Sequence, residues 1–288
     1  MTNKIELSII VPVFNEENNI SNTFNRLKKE LSEQKIRYEI IAVDDGSTDN
    51  TEKELRKIKG IDVIKKPYNI GYSSAIKTGI KKSKYDYIMI IDADGTYPIE
   101  ELSNLLKHVN DYDMVVGART GKKVYIPFYR KIAKWIIGKL ANFLSNQKIP
   151  DINSGMRIFR KDVAMEFYNL YPSRFSFTIT ITLSLLINDY SVKFVPISYA
   201  KRKGKSTIHP IKDFLGFLMI IMRVITLFNP IKIFTTISLS LVLIAILIFL
   251  YSFFILNNIM DITVIVILLS AVQIFLFGLL AYSISKKR

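Results

Sequence analysis

The sequence predicts an α/β domain with a mostly parallel sheet, then interfacial amphipathic helices and a C-terminal pair of transmembrane helices. Three observations carry this reading. Short apolar runs alternate with helix-period stretches up to residue 91, the pattern of βαβ units. Three of the first four runs end in polar loops rich in Asp, Asn or Gly, so these loops converge on one sheet edge. Two apolar stretches, Phe234–Leu256 and Ile262–Ile284, contain no charged side chain, and each is long enough to cross a bilayer.

The elements follow in order. Leu7–Val13 reads as a first strand stopped by Pro12. A helix follows over Ile20–Gln34, with Phe24, Leu27 and Leu31 on its apolar face. Tyr38–Val43 is a second buried strand running into Asp44-Asp45-Gly46-Ser47-Thr48-Asp49. Ser47 or Asp49 is placed to cap a helix over Thr51–Lys59. Ile61–Lys65 reads as a short third strand, Tyr72–Lys82 as a helix and Tyr87–Ile91 as a fourth strand.

That fourth strand leads directly into Asp92-Ala93-Asp94. Two carboxylates one residue apart, aimed beyond the carboxyl end of a buried strand, suit Mg²⁺ or Mn²⁺ with room for water and a diphosphate. A solvated turn is the bland alternative. Asn15-Glu16 and Asp44-Asp45 on the same edge favour a pocket.

Composition bounds the chemistry. The chain has no cysteine, which excludes disulfides, thiolate catalysis and a Cys-based zinc site, and its two histidines, His108 and His209, leave little scope for a His cluster. The first apolar run is too short for a secretory signal. The net charge of +15 is concentrated near the apolar tail (Lys201, Arg202, Lys203, Lys205, Lys212) without a nucleic-acid motif, which favours anionic lipid and phosphate-bearing substrates over nucleic acid. Lys232 before the two spans and Lys286-Lys287-Arg288 after them place both chain ends and the soluble domain on the cytoplasmic side of a multi-pass membrane protein. The expected divisions are a soluble domain (1–206), a juxtamembrane amphipathic helix (207–230) and two transmembrane helices (231–288).

In order, Pro12-Val13-Phe14-Asn15-Glu16, Val43-Asp44-Asp45-Gly46-Ser47, Asn69-Ile70-Gly71, Asp92-Ala93-Asp94 and Val116-Gly117-Ala118-Arg119 resemble the inverting family 2 glycosyltransferases of the GT-A fold. Within that family the chain is most similar to the polyprenyl-phosphate branch, the dolichol-phosphate mannose synthase-like enzymes. The resemblance spans about Leu7–Ser206. It implies a nucleotide-sugar donor, UDP- or GDP-linked, held by Pro12, Phe14, Asn15, Glu16, Asp44, Asp45, Asn69, Gly71, Asp92, Ala93, Asp94, Arg202 and Lys205, with the divalent metal on Asp92 and Asp94. This branch often carries Gln two residues after the second Asp; here Thr96 occupies that position. The chain lacks a Walker signature, which disfavours a P-loop hydrolase.

On the acceptor side, Asp151-Ile152-Asn153-Ser154-Gly155-Met156-Arg157 resembles the family's Asp-x-x-Ser-Gly-x-Arg segment. The resemblance implies catalytic roles for Asp94, Asp151, Arg119 and Arg202. Asp151 would serve as a base toward a hydroxyl acceptor. A lipid phosphate is already ionised and needs cations instead, with Arg119, Arg130, Lys134 and Ser154 as its expected contacts. Residues 128–146 place Ile132, Trp135, Ile136, Leu140 and Phe143 at helical spacing among basic residues, an interfacial helix or one packed on the domain. Ile211–Leu227 reads similarly, with Asn229-Pro230 breaking it before the first span. Lys201–Thr207 resembles the branch's mobile basic loop, with Thr207 where Lys is usual and Lys205 as the substitute charge.

The leading expectation is a metal-dependent, inverting hexosyl transfer from a nucleotide sugar to a membrane polyprenyl phosphate. Transfer to a glycan or lipid hydroxyl is the enzymatic alternative, and a non-catalytic membrane scaffold is the alternative from another class. The sequence leaves open the sugar, the base and any homo-oligomer.

Overall fold

The computed structural model describes residues 5–121, 138–139, 141–143, 145–174, 177–200, 219, 230–255 and 261–285. The chain forms two compact units, Met1–Ile221 and Met222–Arg288.

The first unit is built on a seven-stranded sheet. Its strands are β1 (Glu6–Val13), β2 (Arg37–Asp44), β3 (Asp62–Lys65), β4 (Tyr87–Ile90), β5 (Met114–Ala118), β6 (Arg157–Arg160) and β7 (Val192–Pro196), in the spatial order β3-β2-β1-β4-β6-β5-β7. Strands β3, β2, β1 and β4 are mutually parallel; β6 alone runs antiparallel to its neighbours β4 and β5, and β7 pairs parallel with β5. The first four strands and the helices between them follow the predicted order. Because β6 is reversed, its amino end lies at the edge where the other strands have their carboxyl ends. The 151–156 segment preceding β6 therefore joins the acidic loops instead of leaving for the far side.

Alternation along β1 explains how both faces are covered. Leu7, Ile9, Val11 and Val13 share a core with Phe24, Leu27 and Leu31 of α1 (Ile20–Glu33). Ile10 faces the other way, against α3 (Tyr72–Lys82), so closely that a Cβ at Gly79 would lie 2.5 Å from Ile10 Cγ2. We expect Gly79→Ala to cost about 1–3 kcal/mol through overpacking. Chemical denaturation should show a lower midpoint, and an unchanged midpoint would mean that α3 rides higher on the sheet than described.

Pro12 does not end β1, which continues to Val13. Ile10 presents its carbonyl to Ile91 on the β4 side, and two residues later Pro12 faces the same way, past the point where the β4 pairing stops at Ile90. The missing N–H therefore costs the ladder nothing. The helix after β2, α2 (Thr51–Lys57), is met by Asp49, whose Oδ1 accepts the Thr51 N–H at 3.0 Å. Ser47 turns elsewhere, accepting the Asn15 N–H at 3.0 Å. A short helix α4 (Leu102–Leu106) precedes β5, α5 (Lys161–Glu166) follows β6, and α6 (Phe177–Ile187) is buried from Phe177 to Leu186.

The second unit is a helical hairpin, α7 (Pro230–Phe254) and α8 (Asp261–Ser285). Pro230 opens α7, the position where its missing N–H is harmless. Each helix is about 37 Å long at 1.5 Å per residue, and both are long and apolar enough to cross a bilayer. Their seam uses small residues at sevenfold spacing: Ser238, Ala245 and Ser252 are buried on α7, as is Ala271 on α8. Ser238 Oγ donates to the Ala271 carbonyl at 2.9 Å, and a Cβ at Gly278 would lie 2.5 Å from Phe234 Cβ. Leu239, Leu243, Leu247, Leu269, Leu276 and Leu280 point outward.

Candidate active site

The carboxyl edge collects the loops after β1, β2, β4 and β5 and the loop before β6. The first two are tied to each other. Asn15, held at φ +54, accepts the Thr48 N–H on its Oδ1 at 2.9 Å, and the Glu16 N–H donates to Thr51 Oγ1 at 2.9 Å. Phe14 and Glu16 are partly exposed beside them.

Asp44 and Asp45 are adjacent and both buried, with different partners. Asp44 Oδ1 accepts the Ser47 N–H at 2.9 Å, while its buried Oδ2 has no hydrogen-bond partner. An unpaired buried acceptor costs about 1–3 kcal/mol, so this atom is best explained by a donor arriving with a ligand. Asp45 is committed to the fold. Its Oδ2 accepts the Gly71 N–H at 2.6 Å, and its Oδ1 takes Lys66 Nζ at 3.0 Å. Lys66 is buried and also donates to Ser74 Oγ at 2.7 Å. Lys66 is not among the residues expected at the site, because adjacent Lys65 and Lys66 carry no sequence signal that sets one apart. Alternation at the end of β3 separates the two lysines: exposed Lys65 pairs with half-buried Glu52, and Lys66, the next residue, turns inward to Asp45. Gly46 and Gly71 are required at their positions. Both have positive φ, and Cβ atoms there would lie 2.5 Å from the Tyr68 and Arg174 backbones.

Asp92 and Asp94 are partly exposed at the end of β4. Tyr72 donates its phenol to Asp92 Oδ1 at 2.8 Å. Burial, with the Asp92 charge, holds that phenol well above its ordinary pKa, so it stays a donor at neutral pH. Asp94 Oδ1 accepts the Thr96 N–H at 3.1 Å and the Thr96 hydroxyl at 2.6 Å. Thr96 is buried, and it closes the turn on Asp94. Ala93 contributes its carbonyl, which accepts from Thr23 Oγ1 at 3.0 Å. Among the described residues no cluster of three acidic or histidine side chains forms around this pair. Two carboxylates, completed by phosphate oxygens and water, nonetheless fit Mg²⁺ or Mn²⁺, which keeps several non-protein ligands. The Gly155 backbone packs directly against the Asp92 carboxylate, since a Cβ there would lie 2.5 Å from Asp92 Oδ2.

The 151–157 segment is organised by buried pairs. Arg119, at the end of β5, forks onto Asp151, with Nε to Oδ2 at 2.7 Å and Nη2 to Oδ1 at 3.0 Å; its N–H also reaches Oδ2 at 3.0 Å. The Asp151 side chain is 0% exposed. Burial pulls the Arg119 pKa down, but Tyr97 and Asp151 together outweigh it, leaving the guanidinium firmly charged. Its other side faces the Tyr199 ring, 5.0 Å from the centroid. Ser154 is fully buried and donates to the Gly117 carbonyl at 2.5 Å, so its hydroxyl joins the loop to β5 and is not presented to a ligand. Two further residues were given no role from the sequence, Arg157 being read there only as the Arg of its motif. Tyr97 accepts the Gly155 N–H at 2.5 Å. Arg157 is fully buried and donates to the Ser154 carbonyl at 3.0 Å, the Thr178 carbonyl at 3.0 Å and Thr182 Oγ1 at 2.8 Å; burial lowers its pKa to about 10, and it remains a cation at neutral pH. The Arg of the motif could have flagged it, but its spacing does not reveal that it points inward.

Of the expected residues, the edge brings together Pro12, Phe14, Asn15, Glu16, Asp44, Asp45, Gly71, Asp92, Ala93, Asp94, Arg119, Asp151 and Ser154. Asn69 lies in the same loop as Gly71. Arg130, Lys134, Trp135, Arg202 and Lys205 lie outside the described residues, as does the helix expected over Ile211–Leu227 except for Met219, which is helical and exposed. Of the helix expected over 128–146, the described residues 138–139, 141–143 and 145 are helical, with Ala141 buried and Phe143 exposed.

A mixed, mostly parallel sheet carrying paired acids at one edge defines the GT-A class of α/β domain. The structure of Mycobacterium tuberculosis glucosyl-3-phosphoglycerate synthase in complex with Mn²⁺ and uridine-diphosphate-glucose shares this fold, with a TM-score of 0.57 at 16% identity over 76% of both chains. The family description "Glycosyl transferase family 2" matches residues 8–167, and the chain belongs to that family. It is 33% identical to the dolichol-phosphate mannosyltransferase of Pyrococcus furiosus over 71% of its length, but spans only 59% of that protein. It is 28% identical to the dodecaprenyl-phosphate galacturonate synthase of Rhizobium johnstonii over 98% of its length and spans 88% of that relative.

Proposed function

We propose that this protein is a membrane-bound, metal-dependent, inverting glycosyltransferase. It moves a hexose from a UDP- or GDP-sugar to a polyprenyl phosphate at the cytoplasmic leaflet. The observation that carries the choice of acceptor is the Arg119–Asp151 fork. A carboxylate that is fully buried and gripped on both oxygens by a guanidinium is a poor base for a hydroxyl acceptor. A phosphate acceptor needs none, and the two apolar helices supply the membrane in which such a lipid resides. The names of the Pyrococcus and Rhizobium relatives agree with this acceptor class.

In this reading Asp44 Oδ2 accepts an N–H of the nucleobase, and the Asn15–Glu16 loop borders the base and ribose. Asp92 and Asp94 hold the divalent cation, which, when bound, neutralises charge growing on the diphosphate. An acceptor phosphate oxygen attacks the anomeric carbon in line. The bond from that carbon to the diphosphate breaks, and its electron pair leaves with the nucleoside diphosphate. Arg119 lends positive charge beside the acceptor, with Arg130, Lys134, Arg202 and Lys205 as its proposed companions.

The reading is tested by incubating membranes that carry the protein with a panel of UDP- and GDP-hexoses and identifying lipid products by mass. A hexosyl prenyl phosphate that disappears with chelator supports it. Absence of transfer to any prenyl phosphate across the panel overturns it and would favour the scaffold reading.

A further inference from the structure

We infer that Tyr72 is a positioning residue that sets the orientation of the Asp92 carboxylate for the cation, an inference resting on the proposed metal role of Asp92 and Asp94. Tyr72 reaches Asp92 from the first residue of α3, and that helix start is held in place by contacts from four directions. Gly71, at φ +128, gives its N–H to Asp45 Oδ2 at 2.6 Å. Lys66 holds Asp45 and reaches on to Ser74 Oγ in the first turn of α3. The Ser73 and Ser74 N–H groups donate, both at 2.7 Å, to the carbonyls of Arg174 and Ser173. Ser73 Oγ in turn accepts the Phe177 N–H at 3.0 Å.

This clamp consumes N–H groups at the start of α3 that could otherwise receive an anion, and turns the helix start into a fixed mount for one phenol. From that mount the Tyr72 hydroxyl donates to Asp92 Oδ1 at 2.8 Å. The Gly155 backbone lies so close to the whole Asp92 carboxylate that no Cβ fits between them: it would lie 2.5 Å from Oδ2 and 2.7 Å from Oδ1. The carboxylate is thus held by a donor and packed against backbone, and its orientation is set before a cation arrives. Outer partners of this kind orient metal-binding groups, and losing one typically costs 10–100-fold in metal affinity. The buried Lys66–Asp45 pair thereby serves the metal side of the site through Gly71 and Tyr72.

The test uses the full-length protein in detergent and titrates Mn²⁺, followed by electron paramagnetic resonance, with UDP in one arm and GDP in the other. Tyr72→Phe removes only the hydroxyl, and Gly155→Ala pushes on the carboxylate from the backbone packed against it. Both are expected to weaken Mn²⁺ binding by about 10–100-fold. Tyr72→Phe should also raise the Mn²⁺ concentration for half-maximal transfer while leaving kcat at saturating Mn²⁺ within a few-fold, a split that a general loss of folding would not give. Asp92→Asn separates the two layers. If the wild type binds no Mn²⁺ in either arm, or Asp92→Asn binds it as the wild type does, the metal assignment fails and this inference with it. If Asp92→Asn loses Mn²⁺ while Tyr72→Phe keeps wild-type affinity, the positioning role of Tyr72 is overturned whatever Gly155→Ala does, and the metal assignment stands.

Discussion

Asp94→Asn is expected to lower hexosyl transfer by about 10²–10³-fold, the usual cost of removing one preorganised stabiliser of developing charge. The substitution is chosen because Asn keeps a carbonyl oxygen where Asp94 Oδ1 now accepts the Thr96 N–H and hydroxyl. The turn therefore survives while the charge is lost. Thermal unfolding without metal should match the wild type within a degree or two, and Mn²⁺ should no longer raise the midpoint. If transfer falls less than about tenfold, Asp94 is not a cation ligand. Loss of both activity and midpoint would instead mark Asp94 as a structural residue of the turn.

The second large effect concerns stability. Asp151→Ala leaves the Arg119 guanidinium beside Tyr199 without its carboxylate, and breaking a buried pair from one side costs about 3–5 kcal/mol. Replacing both partners by apolar residues, Arg119→Met with Asp151→Leu, removes the stranded charge, and the double variant should recover much of that loss. Chemical denaturation of the three proteins reads the pattern directly. The double variant should nonetheless be inactive toward a phosphate acceptor, because Arg119 has gone. Equal destabilisation by the single and double changes would mean that the loop depends on the hydrogen bonds of Asp151 and not on its charge pairing.

The part of this architecture that was legible in the sequence is the part set by local pattern. The apolar runs β1, β2 and β4 announce themselves by composition, and α3 begins and ends where its helical period does, at Tyr72 and Lys82. The hairpin of α7 and α8 follows from length and lack of charge. Strand β6 was invisible because Arg157–Arg160 is four residues long and pairs antiparallel with strands 70 and 43 residues earlier in the chain, counting from Tyr87 and Met114 to Arg157. No local signal encodes such a reversal. The acids at the sheet edge were legible as a set, but their individual duties were not. Asp44 and Asp45 are neighbours of one type, yet one keeps a buried oxygen without a hydrogen-bond partner and the other braces a loop through Gly71 and Lys66. Ser154 carries a motif position and spends its hydroxyl on Gly117. Partners 20 to 37 residues apart decide these roles, and only the folded chain brings them together.

In the proposed reaction, acids at the sheet edge hold a nucleotide-sugar donor while the acceptor brings its own negative charge from the membrane. The most direct measurement supplies the protein in lipid nanodiscs with a panel of UDP- and GDP-hexoses and either a polyprenyl phosphate or the polyprenol of equal chain length. Products are identified by mass. The expected products are a hexosyl polyprenyl phosphate and no hexosyl polyprenol. A hexosylated alcohol formed at a comparable rate would contradict the proposed reaction and return Asp151 to the role of base.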